Sequence, residues 1–535
     1  MIRPFLFLAA GALLAGCAAM PDEDQHAAFQ EQPSMNKVLP KPPVQKAEVA
    51  PVQKAEAAPV KTWPEEQWWL SFGRPDLNQA METALSINPG LRGAFDRLGE
   101  ADAAAQIEGA RLLPWLDSDN TFRMVRYAKH GLAASFNPAL GGTYHTSDTL
   151  NPISFRYEFD FWGKNLAAFE ASIGAAAAQR AQFDEARLLL MTSLARTYVR
   201  GVTAGQQLPL ARALVALRKS FLELTETRFR TGLDTQDAVQ QAGIDLETAN
   251  KREEGTRALV VLQQDLLAQL MGEGPDATAK FFTGQSRDLP ANMPLPAHLP
   301  IELLSHRPDL AAAMHRAEAA AEEIHVAKAQ FLPTVDLAAA TGGFEATVLT
   351  SKIGTLPSLL FRGSDLNYLV APGFHLPIFE GGRLRGELAA SRSAYDESVE
   401  LYNQTLLRAV QEVADDLTTW KETKEILESQ INLLRASFGE VGLSHSRQRS
   451  GLNDQREVLS TQIGLLEQQF VVKSLQADHI VALIDLIEAL GGGYDNGFPA
   501  SRPQLDPEAA LSGLEKFTPA YAFDNMLSAF SFFHN

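Results

Sequence analysis

The stretch Ile153-Ser154-Phe155-Arg156-Tyr157-Glu158-Phe159-Asp160-Phe161-Trp162-Gly163-Lys164 decides the fold. Ile153, Phe155, Tyr157, Phe159 and Phe161 alternate with Ser154, Arg156, Glu158 and Asp160. A period of two puts apolar and polar side chains on opposite faces of a strand. A half-buried soluble sheet has this period, and so does a barrel strand between lipid and a lumen. Gly163 ends the strand, and a helical segment runs from 164 to about 229.

The same plan recurs further along the chain. Leu366, Tyr368, Val370, Pro372, Phe374, Leu376 and Ile378 alternate, and Gly382 then opens a helical segment over 383–449. Seven pairs share one offset of 219: Pro89 and Pro308, Leu91 and Leu310, Pro114 and Pro333, Asp117 and Asp336, Gly163 and Gly382, Gly232 and Gly451, Gly272 and Gly491. Pro and Gly mark helix ends and turns, so coincident landmarks indicate two copies of one structural unit. In each unit the first strand follows Pro114 or Pro333. Val335, Leu337 and Ala339 alternate in the second, whereas residues 115–128 show little period.

The second long helix carries spacings of three and four: Tyr395, Val399, Tyr402, Leu406, Val410, Val413, Leu417 and Trp420, resuming at Leu427, Ile431, Leu434, Phe438 and Val441. That is a coiled-coil seam. Pro209 inside the first long helix is expected to kink or break it, and Pro89 to do so within 75–112. Each long helix stops at a Gly-Leu turn, Gly232-Leu233 or Gly451-Leu452. The returning helices, 236–271 and 455–490, are half as long. Segments 75–112 and 301–331 have the missing length, so end-to-end stacking is expected to complete a tall antiparallel wall. At about 1.5 Å per residue the wall stands ~100 Å tall.

The formal net charge of −18 argues against nucleic acid as a partner. The one cysteine, Cys17, follows Arg3 and an apolar run too short to span a bilayer. Leu14-Ala15-Gly16-Cys17 resembles a bacterial lipobox, which implies cleavage before Cys17 and a lipidated residue bearing N-acyl and S-diacylglycerol groups. Ala18 after it implies the outer rather than the inner membrane. The expected organisation is a signal peptide (1–16), a lipidated disordered tether (17–62), two repeats (63–281 and 282–500) and a tail (501–535), either an equatorial girdle or loose.

Four strands per chain cannot close a barrel, and an open edge in lipid leaves backbone groups unsatisfied, so closure needs other copies. Three copies give twelve strands. Several stretches carry a family resemblance: Trp68-Trp69, Asn88-Pro89, Tyr157 to Lys164, His306-Arg307-Pro308-Asp309-Leu310, Phe331-Leu332-Pro333, Leu376-Pro377-Ile378-Phe379-Glu380-Gly381-Gly382-Arg383 and Leu490-Gly491-Gly492-Gly493-Tyr494. Over about 65–494 the sequence resembles outer-membrane efflux lipoproteins of the TolC superfamily, in the branch serving multidrug pumps. The resemblance implies a mostly α protein with membrane β. It implies a homotrimeric twelve-stranded barrel continued by a helical coiled-coil barrel, a periplasmic adaptor and an inner-membrane pump. It implies passive exit of small molecules in a Gram-negative outer membrane. A lipid-anchored periplasmic scaffold, or a duct for metal ions or secreted proteins, is the alternative.

The resemblance also implies that the tips, Arg228, Gly232, Leu233, Arg447, Gly451 and Leu452, meet the adaptor; simple helix caps would look the same. It places acidic rings six and nine residues past the second turn glycine. Those positions hold Glu457 and Ser460. Glu457 is thus the periplasmic gate candidate, or a solvated helix-face residue. Ser460 weakens an electrostatic gate, and one held by inter-helix contacts could replace it. No His-Glu-x-x-His, Cys-x-x-Cys or Gly-x-Ser-x-Gly occurs, and His306, His315 and His325 do not share a helix face. Neither an enzyme nor a bound cofactor or metal is expected.

Overall fold

The computed structural model describes residues 26–30, 67–283, 289, 306–348 and 366–494. The signal segment, Cys17 and the tail lie outside the described residues. After a turn at Trp68–Phe72 come α1 (Pro75–Ile87), α2 (Pro89–Ala110), β1 (Trp115–Arg126), β2 (Tyr144–Phe159), α3 (Lys164–Arg230) and α4 (Gln236–Met271). The second repeat supplies α5 (Pro308–Ala329), β3 (Thr334–Val348), β4 (Leu366–His375), α6 (Arg383–Arg449) and α7 (Gln455–Ala489).

Proline and glycine cut the helices where expected, with one exception. Asn88 accepts a hydrogen bond from Leu91 N at 3.0 Å and Pro89 takes the first helical position, so α1 and α2 part there. Pro209 does not break α3, which is continuous over 67 residues. Proline costs one hydrogen bond of the helix ladder there, while α2, α4, α5 and α7 all pack along α3 and hold its course. α6 matches it at 67 residues, about 100 Å.

The wall has four columns: α2 with α4, then α3, then α5 with α7, then α6. In the two composite columns the short helices do meet end to end. Asn88 Nδ2 donates to Leu270 O at 2.8 Å, and Arg307 Nη1 donates to Ala489 O at 2.8 Å. Asn88 and Arg307 are repeat equivalents, as are Leu270 and Ala489. Gly491 ends α7 at φ +86°, and a Cβ there would lie 2.1 Å from His306 O, so only glycine admits the joint. The main core lies beside the first joint. Trp68, Trp69, Phe72, Leu77 and Met81 pack on Leu194, Tyr198 and Val202 of α3 and on Ile484 and Ile487 of α7.

The sheet runs β1-β2-β3-β4, antiparallel throughout. One face carries Leu116, Phe155, Phe159, Val335, Leu337, Val370 and Phe374. The other carries Asp117, Ser154, Arg156, Glu158 and Asp336. Among the described residues nothing pairs with the outer edges of β1 and β4. The 115–128 region, unreadable by period, is a twelve-residue strand. Its ladder shifts register where Ser118 alone opposes Pro152 and Ile153 of β2, and along β1 itself Ser118 and Asn120 fall between Leu116, Phe122 and Met124, which hides the alternation.

Residues 26–30, expected to be disordered, lie against α6. Ala27 N donates to Asp396 Oδ1 and Gln30 N to Asn403 Oδ1, both at 2.8 Å, while Asn403 Nδ2 donates to Ala28 O at 3.1 Å. His26 and Phe29 set their rings edge-on to Tyr395 and Tyr402. Side chains seven residues apart on α6 thus satisfy the backbone of an extended segment, which offsets the cost of ordering it.

Candidate functional site

The free end of the wall is two helical hairpins. At the first tip Gly232 takes φ +73°; Gly232 N donates to Phe229 O and Leu233 N to Arg228 O. At the second, Gly451 takes φ +74° with the matching bonds to Gln448 O and Arg447 O. This paired pattern closes the orphan carbonyls of a helix end and leaves Leu233 and Leu452 exposed. Thr235 and Asp454 cap the returning helices, accepting from Ala238 N and Glu457 N.

The tips are tied together by charge. Arg228 Nε donates to Asp234 Oδ2 at 2.8 Å and Nη1 to Asp454 Oδ2 at 3.1 Å. Arg456 Nη1 donates to Asp234 Oδ1 at 3.1 Å and its guanidinium lies over the Phe221 ring. The hydrogen bond from Arg228 holds the Asp234 carboxyl below the usual carboxylate range. A second tier lies above, where Arg218 reaches Asp245 of α4 at 2.7 Å and Glu467 of α7 at 3.4 Å. Arg228 and Arg218 each clamp carboxylates from two elements, geometry that the planar fork suits.

Of the expected site residues, the structure brings Gly232, Leu233 and Arg228 to one tip and Gly451, Leu452 and Arg447 to the other. Arg228 is locked in the lattice, whereas Arg447 is exposed and has no ion partner among the described residues. Glu457 sits exposed in the first turn of α7, and Ser460 is exposed one turn on. Asp234, Asp454 and Arg456 were missed as a linking set. Their signal was opposite charge within a few residues of both turn glycines.

A second charged cluster surrounds the α5–α7 joint. Arg307 Nη2 donates to Asp309 Oδ2 at 2.7 Å and to Glu412 Oε2 at 2.8 Å. Arg196 donates to Asp485 at 2.5 Å and to Glu488 at 2.7 Å. Asp416 faces the same cleft, and burial, with Asp485, Glu412 and Glu488 nearby, pushes its carboxyl up to about 6. Burial and Asp309 likewise raise Glu185. Among the described residues no group of His, Cys, Asp and Glu could hold a metal ion. No described helix is long and apolar enough to cross a membrane.

The family model for outer membrane efflux proteins matches residues 80–273 and again 299–492, two segments offset by 219. The fusaric acid resistance protein FusA of Burkholderia cepacia is 29% identical over 387 residues, 72% of this chain and 68% of its own. The pyoverdine export outer membrane protein OpmQ of Pseudomonas putida is 28% identical over 457 residues, 82% of this chain and 90% of its own. The crystal structure of the outer membrane protein VceC of Vibrio cholerae superposes with a TM-score of 0.69 at 31% identity. That match covers 81% of this chain and all of VceC. With its paired family match, membrane-type sheet and long capped hairpins, the chain belongs to the outer membrane efflux protein family and is an outer-membrane exit duct of an efflux system.

Proposed function

We propose that three copies close their four-stranded sheets into a twelve-stranded barrel. Their helical walls continue it as a tunnel that passively carries small molecules out of the cell. The observation that carries this reading is the sheet with two open edges joined to a wall of ~100 Å helices. In lipid such edges must be paired, and in a symmetric assembly the pairing partner is β1 or β4 of another copy. The names of FusA and OpmQ, a fusaric acid resistance and a pyoverdine export protein, support small organic cargo.

In this reading Cys17 carries N-acyl and S-diacylglycerol groups that anchor the chain in the outer membrane. The tips, with Arg228, Gly232, Leu233, Arg447, Gly451 and Leu452, meet a periplasmic adaptor that joins the duct to an inner-membrane pump. The tip lattice holds the periplasmic end shut, and Glu457, repeated on the threefold axis, adds a cation-attracting ring.

Planar-bilayer conductance tests the reading. The parent protein is expected to give small, mostly closed conductance. Arg228→Ala with Asp454→Ala should raise it several-fold, and Glu457→Ala should alter cation selectivity. A verified trimer that conducts in none of these forms would refute the gated duct and leave a lipid-anchored scaffold in its place.

A further inference from the structure

A cavity of about 350 Å³ lies where α5 meets α7, and every helix around it contributes carboxylates to its wall. Asp416 and Glu412 come from α6, Asp485 and Glu488 from the end of α7, Glu185 from α3 and Asp309 from the first turn of α5. Three arginines face them: Arg196 of α3, Arg307 at the start of α5 and Arg408 of α6. Arg307 is engaged by Asp309 and Glu412, and Arg196 by Asp485 and Glu488. Among the described residues the half-buried Asp416 receives neither a hydrogen bond nor an ion pair. Arg196, already held by both carboxylates of α7, is the cation that acts on it, against Asp485, Glu412 and Glu488.

The joint does not need this charge. The equivalent joint of the first repeat, at Asn88 and Leu270, is made without it. Asp416, Glu412, Asp485 and Glu488 correspond to Thr197, Ser193, Leu266 and Gln269, and Arg307 and Asp309 to Asn88 and Gly90. None of these is ionisable. Asp485 and Glu488 also stand at the C-terminal end of α7, where carboxylates oppose the helix dipole and no basic residue in the last turn offsets them.

We propose that the α5–α7 joint is a proton-sensitive latch, slack while the Asp416 carboxyl is ionised and closed once it takes up a proton. Ionised, Asp416 repels Asp485 and Glu488 and pushes α6 away from the end of α7. Protonated, it loses that repulsion and gains an O–H to donate. Burial and the three carboxylates raise it to about 6, above its unfolded value near 4. The penalty is therefore full above about pH 6 and gone below about pH 4, and the joint tightens as pH falls through that window. Glu185, raised by burial and Asp309 but offset by Arg307, Arg316 and Arg408, acts in the same direction. The first joint has no such group and keeps one strength.

Hydrogen exchange read by mass spectrometry tests the latch in the purified full-length chain in detergent, with rates corrected for the intrinsic effect of pH. Peptides over 307–312 and 484–490 should be about fivefold better protected at pH 4.5 than at pH 7.5, the ratio left after the shift is discounted for partial exposure. Peptides over 86–91 and 266–271, at the first joint, should agree within about twofold. Asp416→Asn should protect the second joint at both pH values. Equal protection of the parent's second joint at both pH values overturns the latch. So does a change common to both joints, or a difference that survives Asp416→Asn. Asp485→Asn gives a second readout: removing that neighbouring charge should move the midpoint, near pH 6 in the parent, to lower pH, and an unmoved midpoint also overturns the proposal.

Discussion

Arg307→Ala should loosen the joint between α5 and α7 more than any other single truncation there. The guanidinium is nearly buried and donates to Asp309, Glu412 and Ala489 O. Removing one partner of a buried ion pair costs about 3–5 kcal/mol. Glu412 is partly exposed and recovers water, and Asp309 still accepts from Leu310 N, so about 2–4 kcal/mol is expected here. For a folded unit of about 400 residues the unfolding entropy corresponds to about 0.8 kcal/mol per degree, so the melting point should fall by about 2–5 °C. Thermal unfolding followed by circular dichroism in detergent, at one scan rate for all variants, measures it. Arg307→Lys should fall between, because an ammonium cannot make the forked contact. Asn88→Ala, at the equivalent joint, loses a helix cap and the bond to Leu270 O and should cost about 1–2 kcal/mol. If Arg307→Ala melts within 1 °C of the parent, the reasoning about this joint is wrong.

Asp416→Asn should stabilise the protein at pH 7–8 and not at pH 4. The raised carboxyl costs stability progressively as pH rises from the unfolded value near 4 to about 6, costs the full amount above that and nothing below 4; after discounting its partial exposure the gain is about 1 kcal/mol, read from urea midpoints across pH. Asn403→Ala should release residues 26–30, seen as faster limited proteolysis of the N-terminal segment with an unchanged melting point for the wall. Gly491→Ala forces both a left-handed φ on an L residue and a clash with His306 O, a loss of more than about 2 kcal/mol that should show as reduced yield of folded protein.

The helices were legible because their signals are local. Heptad spacing marks α6, and glycines at fixed offsets mark both turns, so their limits fall within a residue of expectation. β1 was not, because Trp115 and Leu116 are adjacent and Ser118 and Asn120 interrupt the apolar series of Leu116, Phe122 and Met124. The tip glycines could be read from spacing, since a left-handed cap needs them. The lattice linking them could not, since Arg228 and Asp454 are 226 residues apart in sequence and meet only when both hairpins stand side by side. The docking of His26 to Gln30 was hidden for the same reason: its partners, Asp396 and Asn403, looked like an ordinary solvated helix face.

The joints at Asn88 and Arg307 have a mechanical meaning. Each wall pairs an unbroken rod, α3 or α6, with a column cut at one height in both repeats. A rod of 67 residues bends only gently, spreading curvature over its length. A cut column concentrates it at the cut. The lower wall can therefore swing about that height as a flexure while the segment between it and the sheet keeps its shape. Torque applied at the tips is absorbed before it reaches the barrel.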